Sequence, residues 1–341
     1  MKTKFLKPLQ VISFLLVLTT FSCNESNPNQ ENFSDLSKVN SITFPKLKIK
    51  AINEMIAEYR KNQFSILNSD PNISNESSWI NLKKLESFIS YVKAIAKDNN
   101  LNDKKIGIRF YFANLSGNYN DKITCNRKSN DQTLILVPTV RIDNIDYDLN
   151  LHLTNTDEEI ISLIVDSCDE NVFINDYKMV KSLIDNYRNF DLKRINLELR
   201  DINQGDTQSI WFDLNGIENF CNAIKINSKH SNLYSDEELG IELVNAAYPK
   251  ASIYNITSKY FSSNELTKVP ADYEFRHTLI MLPTMRKSNH LPSVLLNEKY
   301  IFDLTKNEIQ ALSKNSNSDE EILAKNHGSL IPPITHTGES F

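Results

Sequence analysis

Glycine is scarce in this chain. There are seven in 341 residues, and no two stand close together. Phosphate-cradling loops need closely spaced glycines so that backbone amides can approach the anion. The P-loop and the dinucleotide fingerprint are therefore excluded, and no nucleotide or other cofactor is expected. An excess of base is also missing. Lys and Arg number 38 against 43 Asp and Glu, a formal charge of −5, and a nucleic-acid partner needs a basic footprint that this composition does not supply. The six histidines, His152, His230, His277, His290, His327 and His336, form no H-E-x-x-H motif and no i, i+4 pair. His327, His336 and Glu339 could converge on a metal, but they lie in a polar terminal stretch. All six are read as surface residues and no metal is expected. There is no G-x-S-x-G elbow. Ser90 and Lys93 form an S-x-x-K pattern that lacks its companion motifs.

Tryptophan occurs twice, and each copy opens the same phrase: Trp79-Ile80-Asn81-Leu82 and Trp211-Phe212-Asp213-Leu214. Leu82, Leu85, Phe88 and Val92 follow the first. Leu214, Ile217, Phe220 and Ile224 follow the second at the same intervals, a helical period. Each series leads to a Gly-Ile strand, at Gly107 and at Gly240. Each strand is answered by a second one, Thr133–Thr139 and Thr278–Thr284. Upstream, Ile52, Met55, Ile56, Tyr59 and Arg60 match Val180, Leu183, Ile184, Tyr187 and Arg188. The expected fold is α+β: two tandem homologous units, each with two helices packed on a small mixed or antiparallel sheet.

Within that frame Trp79 and Trp211 begin short strands, and Asn81 and Asp213 cap the helices that follow. Ile106, Ile108, Phe110 and Phe112 alternate with Gly107, Arg109 and Tyr111, which predicts a strand with one buried face. Pro138 is expected to end the Thr133 strand. Ile160, Ile161 and Ile164 suggest a helix over Asp157–Val165, with Lys306–Ser313 as its partner. Two long polar connections, Asn114–Asp131 and Tyr248–Arg276, differ between the copies, and long loops in compact domains often carry function.

At the amino terminus Lys2, Lys4 and Lys7 precede an apolar run, Val11–Thr20. That run has signal-peptide length and is too short for a bilayer span of about 20 residues. It ends Thr20-Phe21-Ser22-Cys23, a small residue directly before a cysteine. This resembles the lipobox of bacterial lipoprotein precursors, although Thr20 stands where that family more often has Leu. The resemblance covers only the leader, and it implies a diacylglyceryl group on Cys23 and an anchor in the cell envelope, with the outer membrane expected. An ordinary secretory signal is the alternative. The following stretch is rich in Asn, Ser, Glu and Gln, and reads as a flexible tether. The expected organisation is signal 1–22, tether 23–41, first unit 42–170, second unit 171–313 and a polar, Pro-containing tail 314–341.

Of the remaining cysteines, Cys125 and Cys168 are the only pair open to a disulfide, and Cys221 is expected in the core. Thr139, Arg141, Thr284 and Arg286 follow the strand proline at the same offsets in both copies. They could line a ligand site at the strand ends. The plainer reading is that Pro-Thr terminates a strand while Arg covers its edge. Arg109 aligns with Glu242, so that position was not kept. The tryptophans are expected to pack rather than to serve as ligand platforms.

No catalytic constellation is visible, and the reading leans away from an enzyme. The favoured function is a membrane-anchored binding module for a protein or glycan. The alternatives are a hydrolase of envelope or extracellular polymers, which would need two converging carboxylates, and an inhibitor or immunity-type lipoprotein.

Overall fold

The computed structural model describes residues 46–67, 77–101, 105–115, 132–143, 145–149, 161–165, 172–199, 205–229, 239–250, 273–286, 293–295, 300–303, 308–311, 320–325 and 329–331. These belong to one compact unit, Phe44–Phe341. The leader, the tether, Cys125, Cys168 and every histidine except His277 lie outside the described residues.

A short strand β1 (Lys46–Lys48) leads into α1 (Ile49–Tyr59), a π turn at Arg60–Phe64 and a last turn α2 (Ser65–Leu67). Then come β2 (Ser77–Asn81), α3 (Leu82–Asp98), β3 (Lys105–Asn114), β4 (Gln132–Ile142), β5 (Ile145–Asp148) and β6 (Ser162–Val165). The same succession begins again with β7 (Val172–Ile174), α4 (Tyr177–Asn186), a π turn at Tyr187–Leu192 and α5 (Lys193–Glu198). It continues through β8 (Ser209–Asp213), α6 (Leu214–Lys229), β9 (Leu239–Ala247), β10 (His277–Met285) and β11 (Ser293–Leu295). Four more strands follow: β12 (Tyr300–Asp303), β13 (Glu308–Ala311), β14 (Glu321–Leu323) and β15 (Ser329–Ile331).

Local chemistry explains the helix starts. The Asn81 side chain accepts from the Lys84 amide at 3.2 Å, and the Asp213 side chain accepts from the Gly216 amide at 3.1 Å. Each satisfies one of the orphan donors of a first helical turn, as expected. The apolar faces read from the sequence, Leu82–Val92 on α3 and Leu214–Ile224 on α6, are buried, and Cys221 is a core residue.

The fold is α+β with antiparallel sheets, and their strand order does not follow the sequence halves. One sheet runs β13-β12-β11-β10-β9-β2. The other runs β15-β8-β3-β4-β6-β7, with β5 also on β4. The Trp79 strand β2 therefore lies on β9, while the Trp211 strand β8 lies on β3. The helices cross in the same sense: α1 and α3 pack against β9, and α4 and α6 against β3. Across the expected boundary near 170, β6 pairs with β7, and the matching end strand β14 pairs with β1. Part of the expected tail is thus paired, through β14 and through β15 on β8.

The contacts between the halves come in reciprocal sets. α3 meets α6 through Lys93–Glu218 and Lys225–Glu86, both at 2.5 Å. At the offset that superposes the tryptophans, Glu86 matches Glu218 and Lys93 matches Lys225. Lys93 of the S-x-x-K pattern is thereby an ion-pair partner. A Cβ on Gly107 would fall 2.3 Å from the Trp211 ring, and one on Gly240 2.2 Å from the Trp79 ring. These two glycines are present because an indole lies flat on the backbone there.

Several local expectations fail for identifiable reasons. Arg109 and Tyr111, placed on the open face of β3, are fully buried, because α4 covers that face while the main core covers the other. Pro138 does not end β4. It lies opposite Ile108, between the residues paired to β6 and those paired to β5. Pro283 is similarly inside β10. Met281 bonds Lys325 on the side away from β9, and Pro283, two residues on, turns its missing N–H the same way, just before the residues paired to β11. Within Asp157–Val165 the described part is strand β6, and within Lys306–Ser313 it is strand β13, not helix. Short apolar runs do not distinguish a buried strand from a helix, and here neighbouring strands decide it.

Gly107→Ala and Gly240→Ala should each lower stability by about 1–3 kcal/mol in denaturant titrations, because a methyl would overlap the indole. Gly216→Ala in α6 should do the opposite. Its Cβ would meet the end of the Lys325 side chain at 3.2 Å and Asp213 Cβ at an ordinary 3.8 Å. Replacing a helical glycine by alanine is worth roughly 0.5–1 kcal/mol. Equal destabilisation by all three would disprove the indole account.

Candidate functional site

The four residues singled out at the strand ends are divided between the two tryptophans. Thr139 Oγ accepts from Trp211 Nε1 at 2.8 Å, and Thr284 Oγ accepts from Trp79 Nε1 at 3.1 Å. The Arg141 guanidinium sits 4.1 Å from the Trp211 ring centroid, and that of Arg286 4.7 Å from Trp79. Both indoles are nearly inaccessible, 4% for Trp211 and 6% for Trp79. The Pro-Thr-x-Arg phrase is thus a clamp: threonine takes the buried indole N–H and arginine covers the ring. In packing, the tryptophans meet the sequence expectation, while the threonines sit inside strands instead of ending them.

Each clamp leans on a buried ion pair, of opposite polarity in the two halves. Arg109 donates to Asp148 at 2.8 Å and to the Asp146 carbonyl at 2.9 Å, and Tyr111 donates to the second Asp148 oxygen at 2.6 Å. Arg141 holds Asp146 through two 2.7 Å bonds. At the matching position Glu242 accepts from Ser77 Oγ at 2.6 Å and from Arg286 at 3.2 Å. The Arg109–Glu242 mismatch in sequence is therefore a reversal of charge met by different partners: Arg109 pairs with Asp148, whereas Glu242 pairs with Arg286, the counterpart of Arg141. Burial works against the Arg109 cation, yet Asp148, Tyr111 and Asp146 together keep it more firmly protonated than a free arginine. Burial and the Asp148 carboxylate raise the Tyr111 phenol.

A second polar constellation, not foreseen from sequence, lies where the long connection enters β10. The Asp206 carboxylate accepts the backbone amides of His277 (2.7 Å) and Thr207 (2.8 Å). The His277 ring stacks between Phe112, 3.9 Å away, and Tyr59, 4.7 Å away, and its Nε2 meets Asn245 Oδ1 at 3.1 Å. Gln63, on the first π turn, donates to the Phe275 carbonyl at 2.6 Å. Phe275 itself has φ +62°, an uncommon conformation for a bulky residue. Gln63, Asp206, Thr207 and His277 are wholly buried, and among the described residues Gln63 Oε1, Asp206 Oδ2, Thr207 Oγ1 and His277 Nδ1 meet no partner at hydrogen-bond geometry. His277 is thus a core residue, contrary to the surface reading. Asp191, on the second π turn, corresponds to Gln63 and accepts from Asn114 at the end of β3 at 2.8 Å. The only hint in sequence was the pair Tyr59-Arg60 and Tyr187-Arg188 at matched places, where both π turns begin.

Burial pushes the Asp206 carboxyl up to about 6, against the pull of the His277 and Thr207 amides, Gln63 and Arg276. Burial also pushes His277 down to about 3, so its ring is neutral. No polymer could reach Asp206 at this depth, which makes it a joint between β10 and the segment before β8 rather than an exposed acid. Among the described residues no group of three or more His, Cys, Asp or Glu could hold a metal ion. Comparison with protein-family models, with curated proteins and with solved structures finds no match.

The two buried titrations oppose each other in acid. For His277 the neutral form is favoured on folding, so its contribution is complete above pH 6.5 and is lost as pH falls toward 3. For Asp206 the protonated form is favoured, so stability is greatest below 3.8 and is lost as pH rises through 6. Asp206→Asn should therefore steepen the acid loss of stability between pH 6 and 4, whereas His277→Gln should flatten or reverse it. Parallel denaturant midpoints at pH 4, 5, 6 and 7 check this, and unchanged slopes in both variants would contradict the assignment. Thr139→Val and Thr284→Val, each stranding a buried indole N–H, should each cost about 1–3 kcal/mol in the same assay.

Proposed function

We propose that this chain is an exported bacterial lipoprotein, acylated on Cys23 and held at the envelope by the Asn24–Ser41 tether, with the outer membrane as its site. Its body acts as a non-enzymatic binding module for a protein or glycan, through the connections Asn114–Asp131 and Tyr248–Arg276. The observation that carries this reading is how the shared polar residues are used. Thr139, Arg141, Thr284 and Arg286 are engaged with tryptophans and carboxylates. What differs most between the halves is the pair of long connections leaving one end of each central hairpin, β3–β4 and β9–β10. A locked scaffold with divergent loops suits recognition. No helix among the described residues is long and apolar enough to cross a membrane, so a lipid would supply the anchor.

In the same proposal the body is a tandem duplication descended from a symmetric homodimer. An isologous two-fold interface requires that where residue i of one copy meets j of the other, j also meets i. The pairs Glu86–Lys225 and Lys93–Glu218 obey that rule, as do Trp79 on Gly240 and Trp211 on Gly107. So do the pairings β6–β7 and β14–β1.

Two experiments test these readings. Mass spectrometry of the protein from envelope membranes should find diacylglycerol on Cys23, and Cys23→Ser should release it to the soluble fraction. A soluble body retaining residues 41–341 should capture one partner from envelope extract, with at least tenfold less recovered when both connections are shortened. Degradation of an envelope polymer without retention would instead favour the hydrolase. For the duplication, residues 41–168 and 169–341 made as separate chains should co-purify as a 1:1 complex, and independent folding of each would refute the exchanged architecture.

A further inference from the structure

The helical run after α4 carries an exposed surface. Phe190 is 65% exposed and Leu197 66%; among the described residues the other exposed large apolar side chain is Phe173 on β7, at 44%, and the rest are buried or half-buried. Exposure along this run falls at Asn189, Phe190, Lys193, Arg194, Leu197 and Glu198, and Leu192 and Ile195 turn inward. That spacing gathers the phenyl ring, both cations and the leucine on one stripe. Arg194 meets Glu198 at 3.3 Å with both groups about half exposed, so the stripe keeps a positive balance. In the matched run of the first half the position of Phe190 is held by Asn62, which donates to Glu58 at 2.7 Å. The scaffold evidently does not require an aromatic there.

We infer that the Phe190–Leu197 face, which runs from the π turn into α5, is a membrane-contact surface that lays the body against anionic phospholipid headgroups. The inference rests on the proposed envelope anchoring for its setting. A tether such as Asn24–Ser41 has a root-mean-square reach of roughly 25 Å, taking about 5–6 Å per square root of residue number. The body is therefore kept at the bilayer surface, where a contact too weak to recruit it from solution can still orient it. Phe190 and Leu197 enter the headgroup boundary, and Lys193 and Arg194 meet phosphates beside them. A partner protein would also cover apolar area. The two cations between the apolar residues and the proximity of a bilayer select lipid as the occupant.

The test supplies the tether artificially, so that it does not depend on acylation in the cell. The mature chain, with Cys23→Ser and an amino-terminal hexahistidine tag, is held on vesicles of phosphatidylcholine with nickel-chelating lipid, with or without 30% phosphatidylglycerol. Hydrogen exchange of residues 187–198 is compared on vesicles and free in solution. Exchange should slow at least threefold on anionic vesicles, less on neutral ones. Phe190→Ser with Leu197→Ser, or Lys193→Glu with Arg194→Glu, should abolish the effect without lowering the thermal midpoint. Identical exchange on and off anionic vesicles overturns the inference. So does concentration-dependent protection of the free chain with dimers in sedimentation, because a second copy would then be the occupant. If this surface fails while Cys23 proves acylated, the anchoring reading stands alone. If it succeeds while Cys23 is unmodified, the surface stands without the anchor.

Discussion

An indole lying flat on a glycine is the contact on which the architecture turns. At Gly107 and Gly240 the space a Cβ would need is taken by Trp211 and Trp79. Each ring can be buried there only because a threonine on the next strand accepts its N–H and an arginine covers its outer face. The contact joins residues more than a hundred positions apart, so it fixes which strand lies beside which. Once β2 is on β9 and β8 on β3, the helices that lead into and out of these strands must cross as well. The loop-closure cost of such distant pairing is considerable, and the large common core shared by both sheets offsets it.

The buried ion pairs fit the same account. Desolvating Arg109, Asp148 and Glu242 is unfavourable, and such pairs seldom add much net stability. Their opposite polarity gives the two Trp strands different environments. Ser77 of β2 meets the Glu242 carboxylate, whereas the position on its own half's β3 carries a guanidinium. The π turns at Arg60–Phe64 and Tyr187–Leu192 aim Gln63 and Asp191 into the ends of the two central hairpins. In this way the entries to the long connections are tied to the core by polar side chains, and the connections themselves are left to vary.

Much of the element content was legible. Helical spacing behind each tryptophan, the caps at Asn81 and Asp213, and the Gly-Ile and Thr-Leu-Ile strands are local properties, set by period and by the chemistry of first turns. Pro138 and Pro283 misled, because a proline breaks a strand only where its missing N–H is needed, and that depends on the neighbour. Asp157–Val165 and Lys306–Ser313 misled because short apolar runs fit two periods. His277 and Arg109 looked like surface residues, since a residue type tells its usual burial and not the environment that a distant helix creates. The clamp residues Thr139, Arg141, Thr284 and Arg286 were visible as a repeated phrase, but their partners were not.

The sequence by itself determined the elements, the apolar faces and the repetition of one phrase, because these depend on interactions within a few residues. The proposal of a lipid anchor likewise rests on residues alone, the apolar run that ends Ser22-Cys23. Only the tertiary structure decided that each half completes the other's sheet. Strand pairing is a choice among backbones of nearly equal capacity, and it is settled by contacts such as indole on glycine that no local pattern records. The same holds for the acids and cations of the core. Their partners come from across the fold, and so therefore do their protonation and their use.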